Sequence, residues 1–366
     1  MRARFFVFPW SALGALLLAA CSSGGGGVPV VDGATVDVAM ADVQTSDAAV
    51  EDGASSNGDS SDGDASGTTA VITEFTLPAA NSAPEAIVAG PDGNLWFTES
   101  GSEVNKIGRL TLDGAITEFA IPTAAAQAWG MTVGADHNLW FIEQGAGQIA
   151  RLTPAGVFTE FPITTDGRYP FGITAGADGN VWFTEQSGNQ IVRVAPDGTM
   201  MGFALPTAGG YPVGITAGPD GNLWFTEGNG NKIGRITPAG VVTEFAVPTA
   251  QCTPYGIAAG PDGNLWFTEY NGVKIGRITP AGVVSEFPIP TPTCTPYGIT
   301  AGADGNIWFT EYDGVKVGRI TPTGTITEFP IVTAHCYPSL ITTGPDGNIW
   351  FTEYAGNKIG RLGLGP

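Results

Sequence analysis

GPDGNLWFTE occupies residues 90–99, and the same ten letters return at 218–227 and 260–269, with near copies between them. The tryptophan of the phrase falls at Trp96, Trp140, Trp182, Trp224, Trp266, Trp308 and Trp350, a spacing of 44 once and then 42 five times. A fixed period in the forties, built from short alternating runs with Gly-rich turns, is the sequence form of a β-propeller. Each unit reads in four pieces, typified by PYGITAG, LWFTE, KIGRITP and TEFPI, parted by DGN, GN and AG. Those separators accept positive φ or close Asx turns, and the runs between them are rich in Val, Ile, Thr, Phe and Trp. The fold class expected is therefore all-β, four antiparallel strands to a blade and seven blades.

The ends of the repeat predict how the ring closes. The last unit runs through Trp350 and Arg361 without the TEF phrase that follows elsewhere, and that phrase stands at the front as Val71-Ile72-Thr73-Glu74-Phe75. An N-terminal strand completing the last blade would join the first and last blades and leave no broken edge. The propeller is thus placed at 71–366.

Residues 1–20 read differently. Arg2 and Arg4 precede an apolar run from Phe5 to Ala20, too short to make a good membrane span, and it ends in Leu18-Ala19-Ala20-Cys21. Small residues leading into a cysteine resemble the bacterial lipobox, which implies a lipoprotein signal peptide and lipidation of Cys21. Within that resemblance, Ser22 favours outer-membrane sorting, so the localisation expected is the bacterial cell envelope with the lipid as the one membrane contact. Residues 22–70 hold eight Asp and one Glu with no aromatic residue, Lys or Arg. Such a stretch buries too little apolar surface to offset its chain entropy, and as a flexible coil it would span roughly 40 Å. The segment 21–70 is read as a lipidated, acidic tether.

Of the formal net charge of −20, nine tether acids and the two leader arginines account for the excess over about −13 in the propeller. That balance argues against nucleic acid as a partner. A monomer is expected.

Residues common to every copy are read as scaffold. Seven Glu end the LWFTE phrases and seven Arg follow in the next strand. If a four-residue turn joins Glu269 to Lys274, Trp266 faces Arg277, Phe267 faces Gly276, and Glu269 gains Lys274 as its ionic partner. Sites must then come from where the copies differ. The variable position x of P-x-G-I holds Glu85, Trp129, Phe171, Val213, Tyr255, Tyr297 and Ser339, and the residue after the LWFTE glutamate is Ser100, Gln144, Gln186, Gly228, Tyr270, Tyr312 or Tyr354. In a propeller both rings converge on one mouth of the central channel. Glu85, Trp129, Phe171, Tyr255, Tyr297, Ser339, Tyr270, Tyr312 and Tyr354 are therefore the ligand-binding candidates, for a small molecule, peptide or glycan. The bland alternative is that the aromatics plug the channel.

The combination P-Y-G-I-T, G-P-D-G-N-L-W-F-T-E, G-N-K-I-G-R-I-T and T-E-F-x-I-P at this period resembles the streptogramin B lyases, also called virginiamycin B lyases, over residues 71–366. The resemblance implies a seven-bladed propeller that opens a cyclic depsipeptide by elimination across its ester, with magnesium and a histidine. It also implies where those residues stand: the histidines at x of P-x-G-I, one glutamate two residues before x, and another directly after the W-F-x-x phrase. This chain has no histidine at its seven x positions. It has Ala83, Gln127, Tyr169, Tyr211, Thr253, Thr295 and Tyr337 two before x, and no acid after LWFTE. No catalytic residue or metal ligand is assigned on that basis, and magnesium enters only with a lyase reading. His137 sits in a turn on the far face, which leaves His335, four residues before Ser339, as the lone candidate base.

Cys252, Cys294 and Cys336 are spaced 42 and 42, each three residues before x. Outside the cytoplasm cysteines tend to pair, so one loop-assisted disulfide among them is a candidate, although equivalent atoms of neighbouring blades lie about 10 Å apart against a limit of about 7 Å between Cα atoms. Two function classes result: a lipid-anchored binding module that uses the aromatic mouth, and a carbon–oxygen lyase of the streptogramin B type.

Overall fold

The computed structural model describes residues 71–165 and 169–365. The signal peptide, Cys21 and the tether read from the sequence lie outside the described residues.

Twenty-eight strands form seven four-stranded antiparallel sheets among the described residues. Six sheets are built from consecutive strands. The seventh joins Pro338–Thr343, Ile349–Glu353 and Lys358–Leu362 to the N-terminal strand Ile72–Thr76, which pairs Thr73 with Arg361 and Phe75 with Ile359. The innermost strands pack each on the next, and Pro338–Thr343 packs on Pro84–Ala89, so the ring closes as the sequence predicts.

The repeated phrase explains why each blade forms. Its tryptophan is buried at the sheet centre in all seven copies. In the first copy Trp96 Nε1 donates to Asp92 Oδ1 at 2.9 Å, and Asp92 also accepts from Asn94, so one carboxylate closes the turn and fixes the indole. Gly90 is required there, because a Cβ would lie 2.2 Å from Trp96 Cδ1. The next strand lays an arginine over each indole at 5.4–5.8 Å from the ring centroid. Such a contact is worth about 0.5–1 kcal/mol at an exposed site. The register is as expected, with Trp266 opposite Arg277 and Phe267 opposite Gly276.

One expectation is corrected. Glu269 does sit opposite Lys274, but the lysine turns to the outer strand, where Nζ meets Glu286 at 3.0 Å and Thr249 Oγ1 at 2.6 Å. Thr249 belongs to the linker from the preceding blade, so this acid, base and hydroxyl cluster ties neighbouring blades. The same cluster joins the two ends of the chain: Lys358 Nζ meets Glu74 at 2.5 Å, and Thr333 Oγ1 donates to Glu74 at 2.7 Å. Glu269 is left fully buried, and neither of its oxygens has a hydrogen-bond partner. The same holds for Glu99, Glu143, Glu227, Glu311 and Glu353, whereas Glu185 is satisfied by Thr165 and Gln190.

Candidate functional site at the hub mouth

On six of the seven blades the innermost strand enters the hub through a residue in the left-handed region, including Tyr169 (φ 60°), Tyr211 (φ 58°) and Tyr337 (φ 48°). A bulky residue held there costs of order 1–3 kcal/mol, and the surrounding packing holds it. The turn that results throws the following x residue toward the channel. Where the motif keeps its glycine, the backbones of adjacent blades nearly touch: a Cβ on Gly256 would lie 2.5 Å from the Tyr297 carbonyl oxygen. The hub is therefore narrow, and the x side chains crowd it.

Those side chains do come together. Trp129 and Phe171 have ring centroids 5.4 Å apart, Phe171 and Tyr255 5.7 Å, Tyr255 and Tyr297 4.3 Å, and Tyr297 and Tyr312 5.4 Å. Tyr270 joins at 5.5 Å from Tyr255. The Tyr255 and Tyr297 hydroxyls share a hydrogen bond of 2.6 Å, and burial holds both phenols well above their usual range. At the level of these two rings the aromatics fill the channel. Beside that layer lies a hub cavity of about 140 Å³ lined by Trp129, Phe171, Val213, Tyr255, Ile215 and Leu340. Trp129, Phe171, Tyr270, Tyr312 and Tyr354 are half-buried, so their edges remain open to a ligand.

Glu85 and Ser339 are the polar pair of the inner ring. They lie at opposite ends of the propeller sequence and meet across the closure, where Ser339 Oγ donates to Glu85 Oε2 at 2.7 Å. Glu85 is 5 % exposed. Burial raises its carboxyl to about 8, and the hydroxyl of Ser339 offsets only part of that. The phenols of Tyr312 and Tyr354 are raised by burial first and then by the charge of Glu85. A carboxyl group that titrates near 8 exchanges a proton close to neutral pH.

The other sequence candidates fall elsewhere. His335 is exposed in its loop with φ 54°, and among the described residues it makes no hydrogen bond, ion pair or ring contact. His137 is exposed in its turn, φ 57°. The disulfide expectation is corrected: Cys252, Cys294 and Cys336 are free and buried. Each thiol stays inside its own blade beside that blade's buried glutamate, Glu269, Glu311 or Glu353, and burial first and that carboxylate second push it up. Two site residues escaped the sequence reading. Tyr337 stacks on Tyr312 at 4.9 Å, and Leu340 replaces the motif glycine in Pro338-Ser339-Leu340-Ile341 to reach the cavity. The departure of PSLI from PYGI was the available signal for the second.

Comparison with known proteins decides the family. A family model described as "Virginiamycin B lyase family" matches residues 64–168, 156–294 and 252–365. The chain belongs to the virginiamycin B lyase family. A solved streptogramin B lyase is 43 % identical, with a TM-score of 0.77, over 81 % of this chain and 98 % of that one. A virginiamycin B lyase from Staphylococcus aureus is 42 % identical over 81 % and 99 %, also at 0.77. A catalytically inactive variant of the Staphylococcus aureus enzyme, solved with quinupristin, is 41 % identical over the same shares at 0.77. No curated protein sequence matches. The match spans the whole ring, so the departures at the mouth are local.

Family membership implies magnesium. Among the described residues no three His, Cys, Asp or Glu side chains stand together to hold a metal. The inner ring supplies a single carboxylate, already bonded to Ser339, whereas a hard cation takes a near-octahedral set of oxygens. The residues of this mouth do not fit a magnesium site.

Proposed function

We propose that this propeller acts at its tyrosine-lined mouth on a cyclic, peptide-like ester, opening it by carbon–oxygen elimination, the chemistry that its resemblance to the streptogramin B lyases implies. The observation that carries this reading is the 43 % identity over 98 % of the streptogramin B lyase chain, joined to a proton-exchanging carboxyl at an x position. In such a step a base takes a proton from carbon, its electron pair becomes a C=C bond, and the ester oxygen leaves as a carboxylate. Glu85 is the group at this mouth that accepts the proton, with Ser339 as the hydroxyl that donates to it. No water is consumed. The test is incubation of the purified chain with a B-type streptogramin, with and without magnesium, and a search by mass for the linear product. Absence of product under both conditions sinks this reading.

A second reading, retention of the ligand without chemistry, is favoured by the absence of histidine from all seven x positions and by the burial of Glu85. In it the aromatic wall binds and nothing turns over. Both readings place the propeller at the cell envelope, anchored through lipidated Cys21 and the acidic tether of residues 22–70. Cys21→Ala should release the chain from the membrane fraction into the soluble one; an unchanged distribution would refute the anchor.

A further inference from the structure

Below the x residues the inner strands are not alike. Five of them carry a glycine after x, at Gly130, Gly172, Gly214, Gly256 and Gly298, whereas the first has Ala86 and the seventh Leu340. The row without side chains leaves the channel hollow on one side, and Leu340 reaches in from the other; between them lies the hub cavity of about 140 Å³. Trp129 and Phe171 wall it at the x level, and Ile173, Ile215 and Ile257 wall it two residues further along their strands. No charged side chain lines it, and the Tyr255 hydroxyl is already bonded to Tyr297. The junctions beside Trp129 are also built differently. At five junctions the threonine of the LWFTE phrase donates to the carbonyl of the next blade's x residue, as Thr184 Oγ1 does to Val213 at 2.8 Å and Thr226 Oγ1 to Tyr255 at 2.6 Å. Between the first and second blades, Thr98 Oγ1 accepts from Ala86 N inside its own blade and, among the described residues, makes no such bond to Trp129. Between the second and third, Ile142 stands in the threonine's place. The wall that carries Trp129 is therefore held by packing without this tie, and it yields to a guest at lower cost than its neighbours.

We propose that this cavity is a subsite of the mouth that takes up one compact apolar group, a phenyl ring or a branched alkyl chain. Volume and lining decide the class. An apolar cavity of about 150 Å³ stays dry and takes up benzene or xenon, and the space here is of that size. A charged or amide-bearing group would give up its hydrogen bonds to water and meet a wall of apolar side chains in return. Leu340 limits the length of the guest, because it stands where five other strands leave room. The inference rests on the mouth being the ligand site, which both functional readings share. It adds the ligand feature to seek, a compact apolar side chain on a peptide-like ring.

The probe is benzene, with pyridine as the ring of the same shape that carries a hydrogen-bond acceptor, titrated into the purified chain and followed by proton NMR and by thermal melts. We expect benzene to bind saturably and raise the melting temperature, and pyridine to bind at least tenfold more weakly. Ile215→Phe, which fills the cavity, should cut benzene affinity at least tenfold. Leu340→Ala, which enlarges it, should move the ratio of naphthalene to benzene affinity at least tenfold toward naphthalene, and this arm stands even if Ile215→Phe does not fold. Tyr354→Ala, outside the lining, should change neither. Benzene that fails to saturate, pyridine bound as tightly as benzene, binding that survives in a folded Ile215→Phe chain, or a naphthalene ratio unmoved by Leu340→Ala would overturn the proposal. The streptogramin assay is read separately: linear product without benzene binding refutes the subsite and keeps the lyase reading, and benzene binding without product does the reverse.

Discussion

Glu85 of the first blade accepts a hydrogen bond from Ser339 of the seventh at 2.7 Å, across 254 residues of sequence. The seam that closes the ring is therefore also the place where the inner ring of the mouth carries its one carboxylate. One and two inner-ring positions beyond Ser339, the bonded phenols of Tyr297 and Tyr255 fill the channel; at the seam it offers an acid and small side chains.

If Glu85 is the proton acceptor in an elimination, its carboxyl, raised to about 8 by burial, must be ionised to act. Turnover should then rise about tenfold per pH unit up to pH 8 and level off above it. Glu85→Gln should abolish product at every pH, measured by mass of the linear peptide. A rate that falls with rising pH would contradict this assignment.

The closure cluster should be felt in stability. Burial works to raise the Glu74 carboxyl, but bonds from Lys358 and Thr333 outweigh it and hold the group below its usual range. The stabilisation is thus present above the unfolded value near 4.5 and is lost as pH falls through the lower folded one. Glu74→Ala leaves Lys358 and Thr333 without their shared acceptor, an effect of order 1–3 kcal/mol. Thermal melts should show the variant less stable at pH 7, with the gap narrowing toward pH 3.

The buried LWFTE glutamates act in the opposite sense. Burial first, and the nearby Glu286 second, raise Glu269 to about 7, and Glu311 is raised to about 8 in the same way by burial and Glu328. A carboxyl whose folded value is raised stabilises most below the unfolded value, and that contribution is lost as pH rises through 7 to 8. The melting temperature should therefore decline between pH 5 and pH 9, and Glu269→Gln should flatten part of that decline. A wild-type protein more stable at pH 9 than at pH 6 would exclude this account.

Thiol counting tests the cysteines. Cys252, Cys294 and Cys336 are buried and free, so the native chain should resist iodoacetamide, and denaturation without reductant should expose these three thiols. A fourth, from Cys21, appears only if that residue is not lipidated. Fewer than three thiols would mean that a disulfide forms after all.

The hub tolerates no added atoms where backbones meet. Gly256→Ala places a methyl group 2.5 Å from the Tyr297 carbonyl oxygen, which backbone shifts must absorb at about 1–3 kcal/mol. A lowered melting temperature should accompany it, along with a changed fluorescence response at the mouth.

The repeat alone determined the seven blades, the strand register from Trp266 and Arg277 outward, and the closing strand at Ile72–Thr76, because period-two alternation and turn residues are local properties that each copy states again. It also named most of the mouth, since subtraction of the repeat isolates positions such as Glu85, Tyr255 and Tyr297. What it did not settle is which partner each polar group takes. Lys274 chose Glu286 over the cross-strand Glu269 because the linker's Thr249 completes that cluster from another blade, and the three cysteines stayed apart because sevenfold geometry keeps each within its own blade. Whether the aromatics plug or line the channel was equally beyond the sequence: ring contacts between blades depend on how close seven backbones approach, a distance set only when the ring shuts.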